Sequence, residues 1–378
     1  MRGLLLALTL CLAGEAAASV SDVEHAAMLA ADRRSAEAYI LDQFADADLV
    51  LLGEDHAIRQ TLAFVRDLVP QLHRAGVHNL VVEFGAEEDQ HELDRLLTSP
   101  GYDADALKRL MFRYNSAWSW VEYRDLYEAA WRLNRSLPAG APPFRIVNMS
   151  YVYRWHEFAA PRTPDVLQRV FWRGTVDGFR ARVIEDQVLR RGEKALVLTG
   201  TPHAFTRYAM PRVEDNNEGF CGFDANWLGN RLLRRHPDRV VSVLVHQPFP
   251  NLPGRQPALV QPAQGAIERI MAELGNAPRG FDLKNAAMGA LPDRSYYAMC
   301  HPDFTMADLF DGYLFLAPFR ELEPATVDPG FVDASNIAEA LRNYPDPDWK
   351  SPPRDLAGFR AHLAGMAEEI RNRYRSVE

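Results

Sequence analysis

Lysine is scarce. Of 42 basic residues only Lys108, Lys194, Lys284 and Lys350 are lysine, which we read as compositional bias without functional weight. No long basic block interrupts a chain whose formal net charge is -9 and whose pI is near 5.7. That excludes a dedicated nucleic-acid binder, which needs a basic face. Beyond the amino terminus no apolar run approaches the roughly 20 residues that span a bilayer, so no membrane span is expected. There is no phosphate loop, no Gly-x-Gly-x-x-Gly and no internal repeat at a fixed period. Cysteine is limited to Cys11, Cys221 and Cys300.

What remains is an ordinary globular composition: 378 residues, 47% hydrophobic and 25% charged. That is enough for a large core in one or two domains, and we expect a single domain over residues 19–378. The start reads as an address. Arg2, the apolar run from Leu4 to Ala13 and the small residues Ala16-Ala17-Ala18 form a secretory signal over residues 1–18, cleaved after Ala18, for a periplasmic or secreted protein. A lipoprotein reading through Cys11 is weaker, because Leu10 is bulky for that processing. Export leaves Cys221 and Cys300, either as a disulfide or as two buried thiols.

Strand candidates at 48–53, 79–84, 144–148, 195–200, 240–246 and 312–317 alternate with helical patterns. This predicts an α/β fold: a parallel-dominated central sheet flanked by helices, with long helical insertions. Ile58, Leu62, Val65, Val69 and Leu72 recur at helical spacing, and Gly76 marks the stop. A right-handed crossover then sends the first two strand ends to the same edge. The region 86–194 reads as mainly helical around the strand at 144–148. Its stripe Trp120, Tyr123, Tyr127 and Trp131 reads as core packing rather than a ligand face. Pro and Gly cluster at 248–263, a loop suited to lie over the sheet edge. Leu356, Phe359, Leu363, Met366 and Ile370 mark a closing helix.

The chemistry sits where apolar strands stop. Leu49-Val50-Leu51-Leu52 ends on Gly53-Glu54-Asp55-His56, Val81-Val82 ends on Glu83, and Leu196-Val197-Leu198 runs to Thr199-Gly200-Thr201-Pro202-His203. Ligands bind at the carboxyl edge of open α/β sheets. Two imidazoles and two carboxylates there suit Zn, Mn or Fe, with Glu54, His56, Glu83 and His203 as ligands. The same four serve equally as metal-free acid–base groups, with His56 as a general base near its ordinary pKa. Each residue alone reads as a cap or a satisfied core group; the four together read as a site. Asp55 is expected to cap the next helix, and Arg59 to clamp an anionic substrate or to sit solvated. Tyr151, Tyr153 and His156 are expected near the pocket rim, where aromatic packing is favoured over substrate contact or haem ligation, and Asn148 is expected to donate a hydrogen bond into the pocket. His78, His91 and Asp186 read as surface residues.

These motifs resemble the erythromycin esterase, ChaN and Tiki superfamily. The resemblance rests on Gly53-Glu54-Asp55-His56, Val82-Glu83-Phe84, Gly200-Thr201-Pro202-His203-Ala204, the helix from Trp118 to Asn134 and Asp308-Leu309-Phe310-Asp311-Gly312-Tyr313. It covers about residues 45–320, and the Gly-Glu-x-His spacing is nearest the ChaN-like haem-uptake branch. The resemblance implies the fold, and an activity drawn from hydrolases, metal-dependent proteases and haem binders. The expectation is therefore an exported hydrolase that activates water against an ester, lactone or amide in a small molecule or peptide. A haem- or iron-binding uptake protein is the alternative, and an inactive scaffold a third reading.

Overall fold

The computed structural model describes residues 20–213, 221–347 and 352–377. The expected signal at 1–18 lies outside them. All six apolar runs form strands: β1 Leu49–Glu54, β2 Asn79–Ala86, β3 Arg145–Ser150, β4 Ala195–Gly200, β7 Val240–Val245 and β11 Gly312–Phe315. Between them lie short antiparallel ladders, β5 Met210–Val213 with β6 Cys221–Asp224 and β8 Phe249–Pro250 with β9 Leu259–Val260. With β10 spanning Arg279–Asp282, the main sheet has seven strands in the order β10-β11-β7-β1-β4-β2-β3. All its pairings are parallel except that of β10 (Arg279–Asp282) with β11. β10 escaped the sequence reading because Arg-Gly-Phe-Asp carries one large apolar residue and no run.

Burial on both faces explains the continuous apolar character of β1 and β4, which are buried along their whole length. On one face the helix Arg59–Arg74 packs Leu62, Val65, Val69 and Leu72, all fully buried, each contributing about 1.5–3 kcal/mol by leaving water. Pro70 lies within that helix, and Gly76, at φ +79, follows its end. The stripe on the helix Val121–Ser136 behaves as core: Trp120, Tyr123 and Tyr127 are buried and Trp131 packs partly buried against them. The opposite face is covered in part by the helix Val176–Gln187. Phe359, Leu363 and Ile370 bury the inner side of the closing helix Leu356–Arg375. Cys221 and Cys300 form a disulfide. Among the described residues no helix is long and apolar enough to cross a membrane.

The topology places the chemistry. From β1 the chain passes to β2 on one side, and from β4 it passes to β7 on the other, while β1 and β4 are neighbours. Their carboxyl ends therefore form a topological switch point, where a crevice opens outside the sheet.

Candidate active site

β4 lies between β1 and β2, so Glu54 and Glu83 end strands two positions apart. His56 spans the gap. Its Nδ1 lies 3.0 Å from Glu54 Oε1 and its Nε2 lies 2.8 Å from Glu83 Oε1. The span is possible because β4 ends in glycine at this level. A Cβ on Gly200 would stand 2.8 Å from His56 Nε2 and 3.6 Å from Glu83 Oε1. The turn after His56 carries Ala57 at φ +60, a left-handed backbone that costs energy for a residue with a Cβ. The Tyr123 hydroxyl holds this turn: it accepts the Ala57 N–H at 3.1 Å and donates to Glu54 Oε1 at 2.6 Å.

The two carboxylates have unlike surroundings. Glu83 Oε2 accepts from Thr199 Oγ1 at 2.7 Å and from the buried Arg180 guanidinium at 3.0 Å, and Oε1 accepts the Gly200 N–H at 3.3 Å. Burial opposes its ionisation, but the charges of His56 and Arg180 prevail and hold the carboxyl well below its usual range. Glu54 has no arginine, and its Oε2 is buried without a hydrogen-bond partner. There burial prevails over the His56 and Tyr123 hydrogen bonds and raises the carboxyl. For His56, burial pulls downward, but the field of Glu83 and hydrogen bonds donated to both carboxylates lift the imidazole to about 10. Both ring nitrogens donate, so the resting ring is an imidazolium. That corrects the expectation of a general base near its ordinary pKa: an imidazole held at both nitrogens by carboxylates has no free lone pair.

The ring still reaches solvent, with 39% of the side chain exposed. It opens on a cavity of about 230 Å³ walled by Thr201, Pro202, Gln247, Pro248, Tyr297 and Arg373, among others. Part of that wall is the 248–263 loop, lying over the sheet edge as its composition suggested. Arg373, from the closing helix, pairs with Asp55 at 2.6 Å and lines the pocket beside the His56 ring.

His203 lies at the same edge but turns away from the row. Its Nδ1 is 2.7 Å from Asp177 Oδ1, and it stacks edge-on to Trp227. Its charge still contributes to lowering Glu83. Among the described residues no three His, Cys, Asp or Glu side chains are grouped to hold a metal ion. The expected ligand set of Glu54, His56, Glu83 and His203 is therefore not assembled. His56 is held between two carboxylates and Glu83 by Arg180 and Thr199, while His203 faces Asp177 as an ion-pair contact without a hydrogen bond.

Other expectations need correction. Asp55 does not cap the helix, which begins at Arg59 behind Ile58. Arg59 pairs with Glu122 at 3.4 Å and does not line the pocket. Asn148 is buried, donating to the Ala86 carbonyl and packed against Gly85. Tyr151 is fully buried and donates to the Gly174 carbonyl at 2.6 Å, so it does not stand at a rim. Tyr153 alone of that set lines a cavity, a second one that it shares with His203. His156 is exposed beside Asn343, His91 is exposed, His78 is half-buried against His73, and Asp186 pairs with Arg190 on the helix surface. Arg180 and Arg373 were not singled out, and Thr199, Gly200 and Tyr123 were read only as motif or core residues. Arg180 and Asp177 are charged residues on a helix whose other inward residues are apolar, the one signal available for them.

Residues 40–158 match the family described as haem-binding uptake, Tiki superfamily, ChaN. Among solved structures, a Bacillus cereus protein is 13% identical, with a TM-score of 0.50 over 82% of this chain and 100% of its own, which shows the shared fold. A ChaN of Campylobacter jejuni, described with cofacial haem binding, is 14% identical over 55% of this chain and 84% of its own, at a TM-score of 0.35. The type III effector HopBA1 is 15% identical over 59% of this chain and 86% of its own, at a TM-score of 0.36. No curated protein matches the sequence.

Proposed function

We propose that this chain, whose residues 40–158 match the ChaN family of the Tiki superfamily, hydrolyses an ester, lactone or amide at the Glu54–His56–Glu83 row. One arrangement carries the reading: a doubly bonded imidazolium, open along one edge to a small cavity, beside a buried carboxylate with a vacant oxygen. At about 230 Å³ the cavity is below the ~300–1,000 Å³ of common ligand pockets, so it suits the reacting group of a substrate rather than a macrocycle.

In this reading Glu54, whose carboxyl burial raises, takes a proton from the attacking water when substrate binding admits that water to Oε2, which is closed to solvent at rest. The water oxygen bonds to the carbonyl carbon, and the carbonyl electron pair moves onto oxygen. As the tetrahedral centre collapses, the bond to the leaving oxygen or nitrogen breaks and His56 Nε2 protonates it, exchanging its Glu83 contact for the substrate. Glu54 then loses the water's proton to solvent, and His56 Nε2, the nitrogen left bare, takes one back from solvent as it rejoins Glu83. Glu83, anchored by Arg180, keeps the ring charged between turnovers. The predicted pH profile follows: kcat/KM rises as Glu54 ionises and falls as His56 deprotonates near pH 10. A His56 base would instead give activity that rises through about pH 6.5 and stays high.

A panel of activated esters and lactones tests this, with His56→Gln and Glu54→Gln in parallel. Each is expected to lose about 10²- to 10⁴-fold in kcat while keeping the wild-type circular dichroism. A haem-binding reading is favoured by Tyr153 and His203 sharing a cavity of about 610 Å³. A haemin titration giving a Soret shift abolished by Tyr153→Phe, with no turnover of any ester, would reverse the ranking. The proposal takes the protein to be exported, which the disulfide supports, since such bonds persist in oxidising compartments.

A further inference from the structure

The proposed hydrolysis uses Glu54 and His56 to move protons and leaves the oxygen on which charge develops without a donor. Two further walls of the same cavity of about 230 Å³ carry donors, Tyr297 and Arg373. They come from separate parts of the chain, Tyr297 from the turn Tyr296–Ala298 and Arg373 from the closing helix.

Tyr297 is held rigidly. Its ring meets Phe249 at 4.9 Å, Phe205 at 5.8 Å and Tyr208 at 6.0 Å, each edge-on. The Tyr208 hydroxyl donates to its carbonyl at 2.7 Å, and the Ser295 hydroxyl accepts its N–H at 3.3 Å. The residue is only 7% exposed, yet its hydroxyl has no hydrogen-bond partner among the described residues and still meets solvent. With the ring enclosed, the hydroxyl is the end left for the cavity. Burial first, and then the charge of Asp55, push the phenol upward, so it stays protonated and donates.

Arg373 is only half committed. Its Nη2 donates to Asp55 Oδ2 at 2.6 Å, which offsets a carboxylate that would otherwise repel an anion in the cavity. Its Nε is buried, while Nη1 has no partner among the described residues and 35% of the side chain is exposed.

We propose that Tyr297 Oη–H and Arg373 Nη1–H are the oxyanion-binding pair of the His56 cavity, with Tyr297 a catalytic residue. The pair rests on the hydrolysis proposed at the row for its chemistry, and on the cavity alone for what it binds, a tetrahedral anion. As water adds, the carbonyl electron pair moves onto oxygen, and that oxygen accepts from both groups; neither gives up its proton. Glu54 becomes neutral in the same step by taking the water's proton, so the oxyanion does not face it as a like charge. When the pair returns to carbon, the bond to the leaving atom breaks and His56 protonates that atom. Donors fixed where charge develops need no reorganisation, which is what the enclosed ring provides.

The probe is ethyl methylphosphonate, a stable tetrahedral monoanion with the shape and charge of the intermediate from ethyl acetate. Its neutral isomer, dimethyl methylphosphonate, is the comparison. Binding to the full chain is followed by phosphorus NMR titration and needs no turnover. The wild type is expected to bind the monoanion more tightly than the isomer. Tyr297→Phe and Arg373→Met should each weaken the monoanion about tenfold and the isomer less than about twofold. Against an activated ester, Tyr297→Phe should lose about 10²- to 10³-fold in kcat with KM changed less than about threefold, since the donor serves the transition state. Tyr296→Phe, the neighbouring phenol bonded to the Pro211 carbonyl, is expected to match the wild type in both assays. Melting curves establish that each variant is folded. Ester turnover by the wild type with kcat and phosphonate affinity unchanged in Tyr297→Phe overturns the pair and leaves the hydrolase reading standing. Monoanion binding lost in Tyr297→Phe, with no ester turned over by the wild type, supports the pair and sinks the reaction assigned to the row. No saturable binding of the monoanion, or binding no tighter than that of its isomer, overturns the proposal.

Discussion

Glu54 and Glu83 are the same residue type at the ends of parallel strands in one sheet, holding opposite nitrogens of one imidazole. Their surroundings drive them in opposite directions. Glu83 is saturated by a guanidinium, a hydroxyl and a backbone N–H, and is held ionised. Glu54 has a phenol and the imidazole on one oxygen and nothing on the other, and burial raises it. A carboxylate that is fully solvated by protein groups is an anchor; one that is half solvated is a proton carrier. In the proposed hydrolysis, proton abstraction therefore belongs to the Glu54 end and anchoring of the ring to the Glu83 end.

The largest expected effect breaks the anchor. Glu83→Gln leaves Arg180, 5% exposed, as a buried cation without its main partner. Removing one member of a buried pair costs about 3–5 kcal/mol, read as a lowered urea midpoint with an unchanged m-value. Arg180→Met in the same background should recover part of that loss, because it removes the orphaned charge. A Glu83→Gln protein as stable as the wild type would show that the anchor role is misassigned.

Next is Tyr123→Phe, which keeps the ring in the core but removes a donor from Glu54 and the acceptor for Ala57 N–H. About 1–3 kcal/mol is expected for the buried groups left unpaired. Tyr123 is a positioning residue, so its signature is in the pH profile. Without its donated hydrogen bond Glu54 should rise further, moving the acid limb of kcat/KM upward. A fall in kcat with the acid limb unmoved would make Tyr123 merely a packing residue.

The pH dependence of stability separates the ends by sign. Glu83 is lowered on folding, so its contribution is present above the unfolded value of about 4.3 and is lost as pH falls through its folded pKa. Glu54 is raised, so its contribution is present below about 4.3 and is lost as pH rises through its folded pKa. His56 is raised to about 10, so its contribution is complete below about 6.5 and declines as pH rises through 10, reduced by screening at its exposed edge. Urea titrations from pH 3 to 10 on wild type and Glu83→Gln should show the acid limb flattened in the variant.

How much of this was legible in the sequence follows from what carries each signal. Six strands showed because burial on both faces demands unbroken apolar runs, and Glu54, His56 and Glu83 showed because those runs end on them. β10 did not, since a four-residue edge strand needs no run. The partners that decide protonation come from far along the chain: Tyr123 reads as core and is core, while its hydroxyl does the positioning. Arg180 lies on a helix whose register against the sheet no local pattern encodes. Arg373 replaces the expected Arg59 because the closing helix, not the first one, crosses the crevice. His203 was correctly read as lying at the edge, but its pairing was not, because Asp177 is brought there by a helix start.

The smallest expected effect on stability is also the sharpest test of the comparison. Glu54→Gln retains an acceptor oxygen for Tyr123 and His56 and removes the buried charge. Two terms oppose each other: relief of desolvation stabilises, while the new amide N–H group, placed where Oε2 has no partner, costs about 1–3 kcal/mol as a buried donor. The imidazolium keeps Glu83, so no bare cation is left. The net change should fall within about 1 kcal/mol of wild type at neutral pH, well short of the Glu83→Gln loss, although the amide cannot accept a proton and turnover should collapse. Side-by-side urea curves decide it. If Glu54→Gln destabilises as much as Glu83→Gln, both carboxylates are anchors and the proton carrier must be sought elsewhere.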